Sequence, residues 1–299
     1  MDEIIEDVIA EWKRELRLEL INGIIGDTQK KSLEKVGYYY MNYAPAFIYK
    51  YYDDDLQKLE SIKNNKMWYS APCKFNDVFD CDILIDEKEI FKSALEMFPD
   101  KRGIKQGSFM WLQLKQSVNK AIQTLRFNFE NLKTTMGITC LSESYDSLLM
   151  WAHYANNHCG ICVEYELNEI NKQLQFSPVP VIYSDERARY CSLKQETIET
   201  DTIKVFFESL TSKSPEWSYE REWRIIRDDG ACGTKWDREK KGALLDMIRP
   251  NSIILGCMVK PDFENAVHKY CKDKKINLYK MEKSRDLYRL EKVEVLSFD

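Results

Sequence analysis

The stretch Phe47-Ile48-Tyr49-Lys50-Tyr51-Tyr52-Asp53-Asp54-Asp55-Leu56, followed shortly by Lys66-Met67-Trp68-Tyr69-Ser70, decides the fold class. Both of its ends are rich in aromatic residues, the composition of a strand. Between them, Asp53-Asp54-Asp55 puts acidic side chains where a helix N-terminus favours them. Leu56, Leu59 and Ile62 then recur on one helical face, and Asn64-Asn65 ends the helix. Ala71-Pro72 breaks the second strand, because proline cannot donate to a ladder. Strand, helix and strand in quick succession open a domain that mixes the two.

Outward toward the N-terminus, Ile5, Val8, Ile9, Trp12, Leu16, Leu20 and Ile24 recur at helical spacing over residues 3–25. Gly26-Asp27 reads as a stop, and a polar stretch runs from there to Lys35. Residues 1–45 are therefore expected to form a helical appendage. It either packs on the core or offers a contact surface for a second copy or a partner protein. Residues 46–299 are expected to form one α+β domain. Outward toward the C-terminus, Leu112, Val118, Ile122, Leu125, Phe129 and Leu132 mark a helical face between residues 83 and 133, with a polar break from Asp100 to Gly107. This predicts an inserted helical hairpin. Strands are expected at 137–142, 160–166, 179–183, 220–226, 252–256, 277–279 and 288–296, with helices at 196–210 and 261–271. The fold class is α+β, with a mixed central sheet.

Composition narrows the functions. Apolar residues make up 44% and charged residues 31% of the 299-residue chain, as in globular proteins. The net charge is −5, which argues against a generally basic nucleic-acid binder. The N-terminus, Met1-Asp2-Glu3-Ile4-Ile5-Glu6, lacks the basic flank and apolar run of a secretory leader. No run approaches the roughly 18 apolar residues of a membrane span. A cytoplasmic protein without a membrane partner is expected. The nine cysteines are scattered. Cys159 and Cys162 form one close pair without the second pair a zinc site wants, so they read as structural thiols and no metal site is expected. GxGxxG, Walker, GxSxG and HExxH signatures are all missing from the sequence.

Three segments are richer in polar and aromatic groups than plain structure requires. If the two opening strands pair, Tyr49, Lys50, Tyr51, Tyr69, Ser70, Phe75, Asn76 and Asp77 gather a cation, hydroxyls and rings. Such a set can hold a small nucleotide, with rings stacked on a base or nicotinamide. In the alternative reading, Asn76 and Asp77 make an Asx turn and the tyrosines cover a sheet edge. The segment Trp151 to Gly160 carries His153 and His158. His153 can bind phosphate or move a proton, or be a packing residue. In Tyr219-Glu220-Arg221-Glu222-Trp223-Arg224, strand alternation puts Glu220, Glu222 and Arg224 on one face. Two enclosed carboxylates would raise one carboxyl pKa. Otherwise Glu222 pairs with Arg224 or Arg221 on an edge strand, although Trp223 and Ile225 argue for burial.

These motifs resemble a bacterial family known as domain of unknown function 2971. The resemblance rests on Tyr49-Lys50-Tyr51, on Ser70-Ala71-Pro72-Cys73-Lys74-Phe75-Asn76-Asp77-Val78-Phe79-Asp80, on Trp151 to Ile161, and on Glu220 to Arg224. It spans about residues 47–226, and Val78 stands where the family has Pro. The order of segments is also similar, more weakly, to the ADP-ribosyltransferase fold. That similarity implies NAD as substrate, Lys50 at the ribose or pyrophosphate in place of the usual His or Arg, and tyrosines around the nicotinamide. It also implies Glu222, with Glu220 beside it, steadying an oxocarbenium-like ribose as the C–N bond breaks. By family analogy the chain would be a toxin or phage-defence effector with a macromolecular acceptor. Two other functions stay open. One is a metal-dependent nucleic-acid hydrolase using Asp77, Asp80, His153 and Glu222. The other is a non-catalytic nucleotide-sensing or protein-interaction module.

Overall fold

The computed structural model describes residues 2–25, 29–97, 104–174, 177–194 and 197–298. In chain order the elements are α1 (Asp2–Ile25), α2 (Gln29–Tyr43), β1 (Phe47–Tyr52), α3 (Leu56–Lys63), β2 (Lys66–Ser70), β3 (Leu84–Ile85), α4 (Glu87–Glu96), α5 (Phe109–Thr135), β4 (Met136–Ser142), α6 (Leu148–Tyr154), β5 (Ile161–Glu166) and α7 (Leu167–Leu174). They continue with β6 (Val179–Pro180), β7 (Ile182–Tyr183), β8 (Arg189–Tyr190), α8 (Ile198–Leu210), β9 (Ser212–Lys213), β10 (Glu222–Asp228), α9 (Asp229–Cys232), β11 (Trp236–Asp237), β12 (Gly242–Asp246), β13 (Ser252–Leu255), α10 (Pro261–Lys274), β14 (Asn277–Lys283) and β15 (Leu290–Leu296). The architecture is α+β, with a mixed sheet and a helical N-terminal region. Two compact units emerge. The first comprises Met1–Asn42, Ala71–Met136 and Ile182–Pro215, and the second Tyr43–Ser70, Gly137–Val181 and Glu216–Asp299.

The first unit is mainly helical. Asp86 caps α4 by accepting from the Lys88 and Glu89 amides, and Ser108 caps α5 through the Trp111 amide. The face Val118, Ile122, Leu125 and Phe129 of α5 packs on Ile90 and Ala94 of α4 and on Tyr190 and Val205. The inserted hairpin is therefore present, although Leu112, expected on the apolar face, is exposed. Of the polar break, residues 100–103 lie outside the described residues. Helix α1 packs on α8 and β7, with Leu16 and Ile21 buried, and Arg17 Nη1 donates to Ser212 Oγ at 2.7 Å. The expected stop at Gly26-Asp27 falls outside the described residues. The polar stretch after it is mostly helix α2, because Val36 and Tyr40, four residues apart, share a buried face.

The second unit is built on a sheet in the order β11-β12-β2-β4-β1-β5-β13-β14-β15, with β10 paired to β4 and β6. Strand β13 runs parallel to β14, and the other pairs of known register are antiparallel. The two opening strands do not pair with each other, because β4 lies between them. On one face, Tyr49 and Tyr51 of β1 pack with Ile254, Met281 and the α6 residues Met150 and Trp151. Asp55 caps α3, and Leu59 and Ile62 are buried as expected, whereas Leu56 in the first turn is exposed. Gly160 lets β5 start against β1: a Cβ there would lie 2.0 Å from the Tyr52 carbonyl oxygen. The expected strand 179–183 is two short ones, because β6 pairs with β10 and β7 with β9. No helix among the described residues is long and apolar enough to cross a membrane.

Candidate active site at the branch of the sheet

Strand β4 is where the sheet divides, since β1, β2 and β10 all bond to it. Tyr49 of β1 lies opposite Ser142, and Ser70 of β2 lies opposite Ile138. Next to the first of these pairs, the Lys50 ammonium donates to the Cys140 carbonyl of β4 at 2.7 Å. Burial holds Lys50 below the ordinary lysine range, and the nearby charges of Glu222 and Glu220 work against that shift. The Cys140 thiol is pushed up by burial and then by Glu222. It is a poor nucleophile in this setting.

The carboxylates come from the turn before β10 and from its first residue. Glu220 ends a 3-10 turn over Pro215–Glu220, and Arg221 has φ 45°. This overturns the expected strand from residue 220. A left-handed residue breaks the two-residue alternation, so Glu220 is not a strand neighbour of Glu222. Both carboxylates are nevertheless buried, at 4% and 3% exposed. Ser142 Oγ donates to the Glu220 carbonyl at 2.6 Å, and the Glu143 amide donates to the Arg221 carbonyl at 3.0 Å. These bonds hold the kink against the end of β4. Tyr154 Oη donates to Glu220 Oε1 at 2.5 Å.

Glu222 is gripped by Arg224, whose Nε reaches Oε1 at 2.8 Å and whose Nη2 reaches Oε2 at 3.1 Å. Arg224 is 0% exposed, so the ion pair foreseen for an edge strand is instead interior. Such a fork fixes the plane of the carboxylate as well as its position. Trp223, on the opposite face, donates from its indole to Glu143 Oε1 at 2.6 Å. The arrangement keeps two carboxylates, one ammonium and one guanidinium in a low-dielectric setting, where charges act strongly on one another.

The remaining expected site residues fall elsewhere. Tyr49 Oη donates to Glu164 Oε2 at 3.0 Å, and Tyr51 Oη to the Ser144 carbonyl at 2.9 Å with its ring edge-on to Trp151. Tyr69 is fully buried, its hydroxyl has no partner among the described residues, and burial pushes its pKa up to about 12. Ser70 is half-buried at the end of β2. His153 is exposed on α6, its ring centroid 6.4 Å from Tyr154 and 6.2 Å from Tyr219. Phe75, Asn76 and Asp77 belong to the first unit, where Asp77 Oδ1 accepts from the Phe79 amide at 2.9 Å in an Asx-type turn. Asp80, also in the first unit, pairs with Lys213 at 3.6 Å. Among the described residues, no group of three or more His, Cys, Asp and Glu is placed to hold a metal ion.

Sequence reasoning missed Cys140, Ser142 and Tyr154. Tyr154 had a signal, because it follows Trp151 by three residues on one helical face. The other two matter through strand pairing, which leaves no local mark. This segment is also where a comparison with known proteins finds a counterpart. Residues 150–225 match the family model described as protein of unknown function (DUF2971). No curated protein and no solved structure matches the chain. The DUF2971 segment runs from α6 into β10 and so contains Tyr154, Glu220, Glu222 and Arg224, while Lys50 and Cys140 precede it. The DUF2971 description itself carries no activity.

Proposed function

We propose that this chain is an enzyme of the ADP-ribosyltransferase type, with NAD as substrate and the Lys50, Glu220 and Glu222 cluster as its reacting centre. The observation that supports this reading is the convergence of a first-strand cation with two late carboxylates, felt in the electrostatics of Lys50. Breaking the ribosyl C–N bond builds positive charge on the ribose. A carboxylate held ionised and oriented before the substrate arrives favours that state over the neutral ground state. Arg224 supplies the orientation of Glu222 through its two-point fork. Lys50 carries the charge that a pyrophosphate or ribose oxygen would meet, and Tyr154 fixes Glu220. Exposed His153 lies beside Tyr154, where an acceptor would approach.

The test is mass-spectrometric measurement of nicotinamide release and of ADP-ribose transfer by the full chain, with protein and nucleic-acid acceptors supplied. Wild type should consume NAD. Glu222→Gln and Glu220→Gln, each shown folded by near-UV circular dichroism, should lose about a hundredfold or more in rate. An intact wild type that leaves NAD untouched with every acceptor, or folded variants at the wild-type rate, would overturn the reading.

A further inference from the structure

A concave site lies in the same unit, lined by none of the residues of the Lys50, Glu220 and Glu222 cluster. It is a cavity of about 640 Å³, in the range of small-molecule sites, between the start of α6, the turn after β13 and the β14–β15 connection. Its apolar wall includes Leu148, Met258, Leu287 and Tyr288. Met258, in the turn after β13, is 56% exposed, and Leu287 and Tyr288, in the β14–β15 connection, are 56% and fully exposed. Its charged wall is Lys283, Arg285 and Arg289 against the single Asp286. Arg289 pairs with Glu291, whereas Lys283 and Arg285 form no ion pair among the described residues. The cavity therefore presents three cations against one carboxylate of its own, with Lys283 and Arg285 outside any ion pair among the described residues.

His158 completes the lining. It ends a run of three left-handed residues, Asn156, Asn157 and His158, with φ of 44°, 52° and 68°. Side-chain residues avoid that region unless the surroundings impose it. Here they do: the His158 amide donates to the Trp151 carbonyl at 3.1 Å, and its carbonyl accepts from the Met258 amide at 3.0 Å. Gly256 permits that approach, since a Cβ there would meet the His158 carbonyl oxygen at 2.1 Å. Nδ1 of the ring is enclosed without a partner among the described residues, which leaves Nε2 as the nitrogen able to meet a ligand. A strained, tightly anchored turn thus delivers an imidazole to a pocket that also holds Lys283 and Arg285.

We propose that this cavity binds a small organic phosphate with a planar ring, of mononucleotide size. Lys283 and Arg285 take the phosphate, Tyr288, Leu287 and Met258 cover the ring, and His158 bonds to a ligand hydroxyl or phosphate oxygen. A guanidinium beside an ammonium suits a phosphate better than a single carboxylate. An exposed tyrosine flanked by leucine and methionine suits a flat ring.

Isothermal titration calorimetry on the full chain tests this with adenosine 5′-monophosphate, adenosine and inorganic phosphate. The monophosphate should bind, and adenosine and phosphate should each bind at least about tenfold more weakly. Lys283→Ala and Arg285→Ala are exposed substitutions that leave the core alone, and each should weaken monophosphate binding about tenfold. Tyr288→Ala should weaken it while leaving phosphate binding unchanged. No heat with the monophosphate at millimolar concentration would overturn the proposal. So would inorganic phosphate binding as tightly as the monophosphate, or full binding by both charge variants. That last result would place the monophosphate in another site, such as the one beside Lys50.

Discussion

Glu164 and Glu222 stand on strands of the same branched sheet, and both are nearly sealed from water, at 6% and 3% exposed. The partners of Glu164 are neutral. Tyr49 Oη donates at 3.0 Å and Ser252 Oγ at 3.1 Å, and the Asn251 amide group also donates. These donors come from β1 and from the start of β13, so the carboxylate joins strands whose own ladders already fix them. Around Glu222 the chemistry is ionic: Arg224 forks onto it, and Lys50, Cys140 and Glu220 share its field. Burying that many ionisable groups opposes folding more than a neutral cage or an apolar core would. The contrast separates a structural joint from a candidate reacting centre. It also explains why an inventory of buried acids alone does not find a site.

The comparison can be broken most forcefully at Arg224. Arg224→Met leaves Glu222 buried without its guanidinium, and urea denaturation should show a loss of about 3–5 kcal/mol. Adding Glu222→Leu to that variant should restore most of the loss, since the penalty belongs to the uncompensated charge. A single variant within 1 kcal/mol of wild type would mean that β10 does not depend on the pair (about 1 kcal/mol being the scale of a surface pair). Next in size is Gly160→Ala, which drives a methyl into the Tyr52 carbonyl and should cost about 3 kcal/mol without changing any charge.

Glu164→Gln sharpens the contrast. An amide turns donors toward neighbours that also donate, so about 2 kcal/mol should be lost. Because this joint is structural, any NAD turnover should survive in the folded fraction, unlike in Glu222→Gln. Equal loss of turnover in both would dissolve the distinction. Tyr154→Phe removes one donor to Glu220 and should cost about 1 kcal/mol.

The smallest effect is read through pH. Burial holds Lys50 below its unfolded pKa, so between the two values the unfolded chain carries the extra proton. Stability gains a contribution that rises with pH across that window. Urea midpoints of wild type relative to Lys50→Met should therefore climb as pH is raised toward the normal lysine value of about 10.4. A flat difference would show that Lys50 keeps an ordinary pKa and is not desolvated.

Much of the fold was legible in local patterns. The opening strand, helix and strand, the capped α5 face through Phe129, and the closing β14–β15 pair all follow from periodicity and turn chemistry. Three features were not. Helix α2 hides its buried face in a polar stretch, since Ser32, Val36 and Tyr40 at four-residue steps suffice when neighbours cover them. The strand expected from Glu220 begins two residues later, because Arg221 takes a left-handed conformation that its sequence does not announce. The two opening strands, whose pairing was the condition for gathering Tyr49–Tyr51 with Tyr69–Ser70, are separated by β4.

The candidate site divides along the same line. Residue order alone singled out Lys50, Glu220 and Glu222, because charge among aromatic and apolar neighbours is a local anomaly that a linear reading can see. It could not tell that Tyr49 and Tyr51 turn toward α6, that Arg224 grips Glu222 in the interior, or that Cys140 and Tyr154 complete the cluster. Those outcomes depend on which strands lie side by side. Pairing is settled by long-range burial and by backbone groups common to every residue, so the amino-acid string carries no local trace of it.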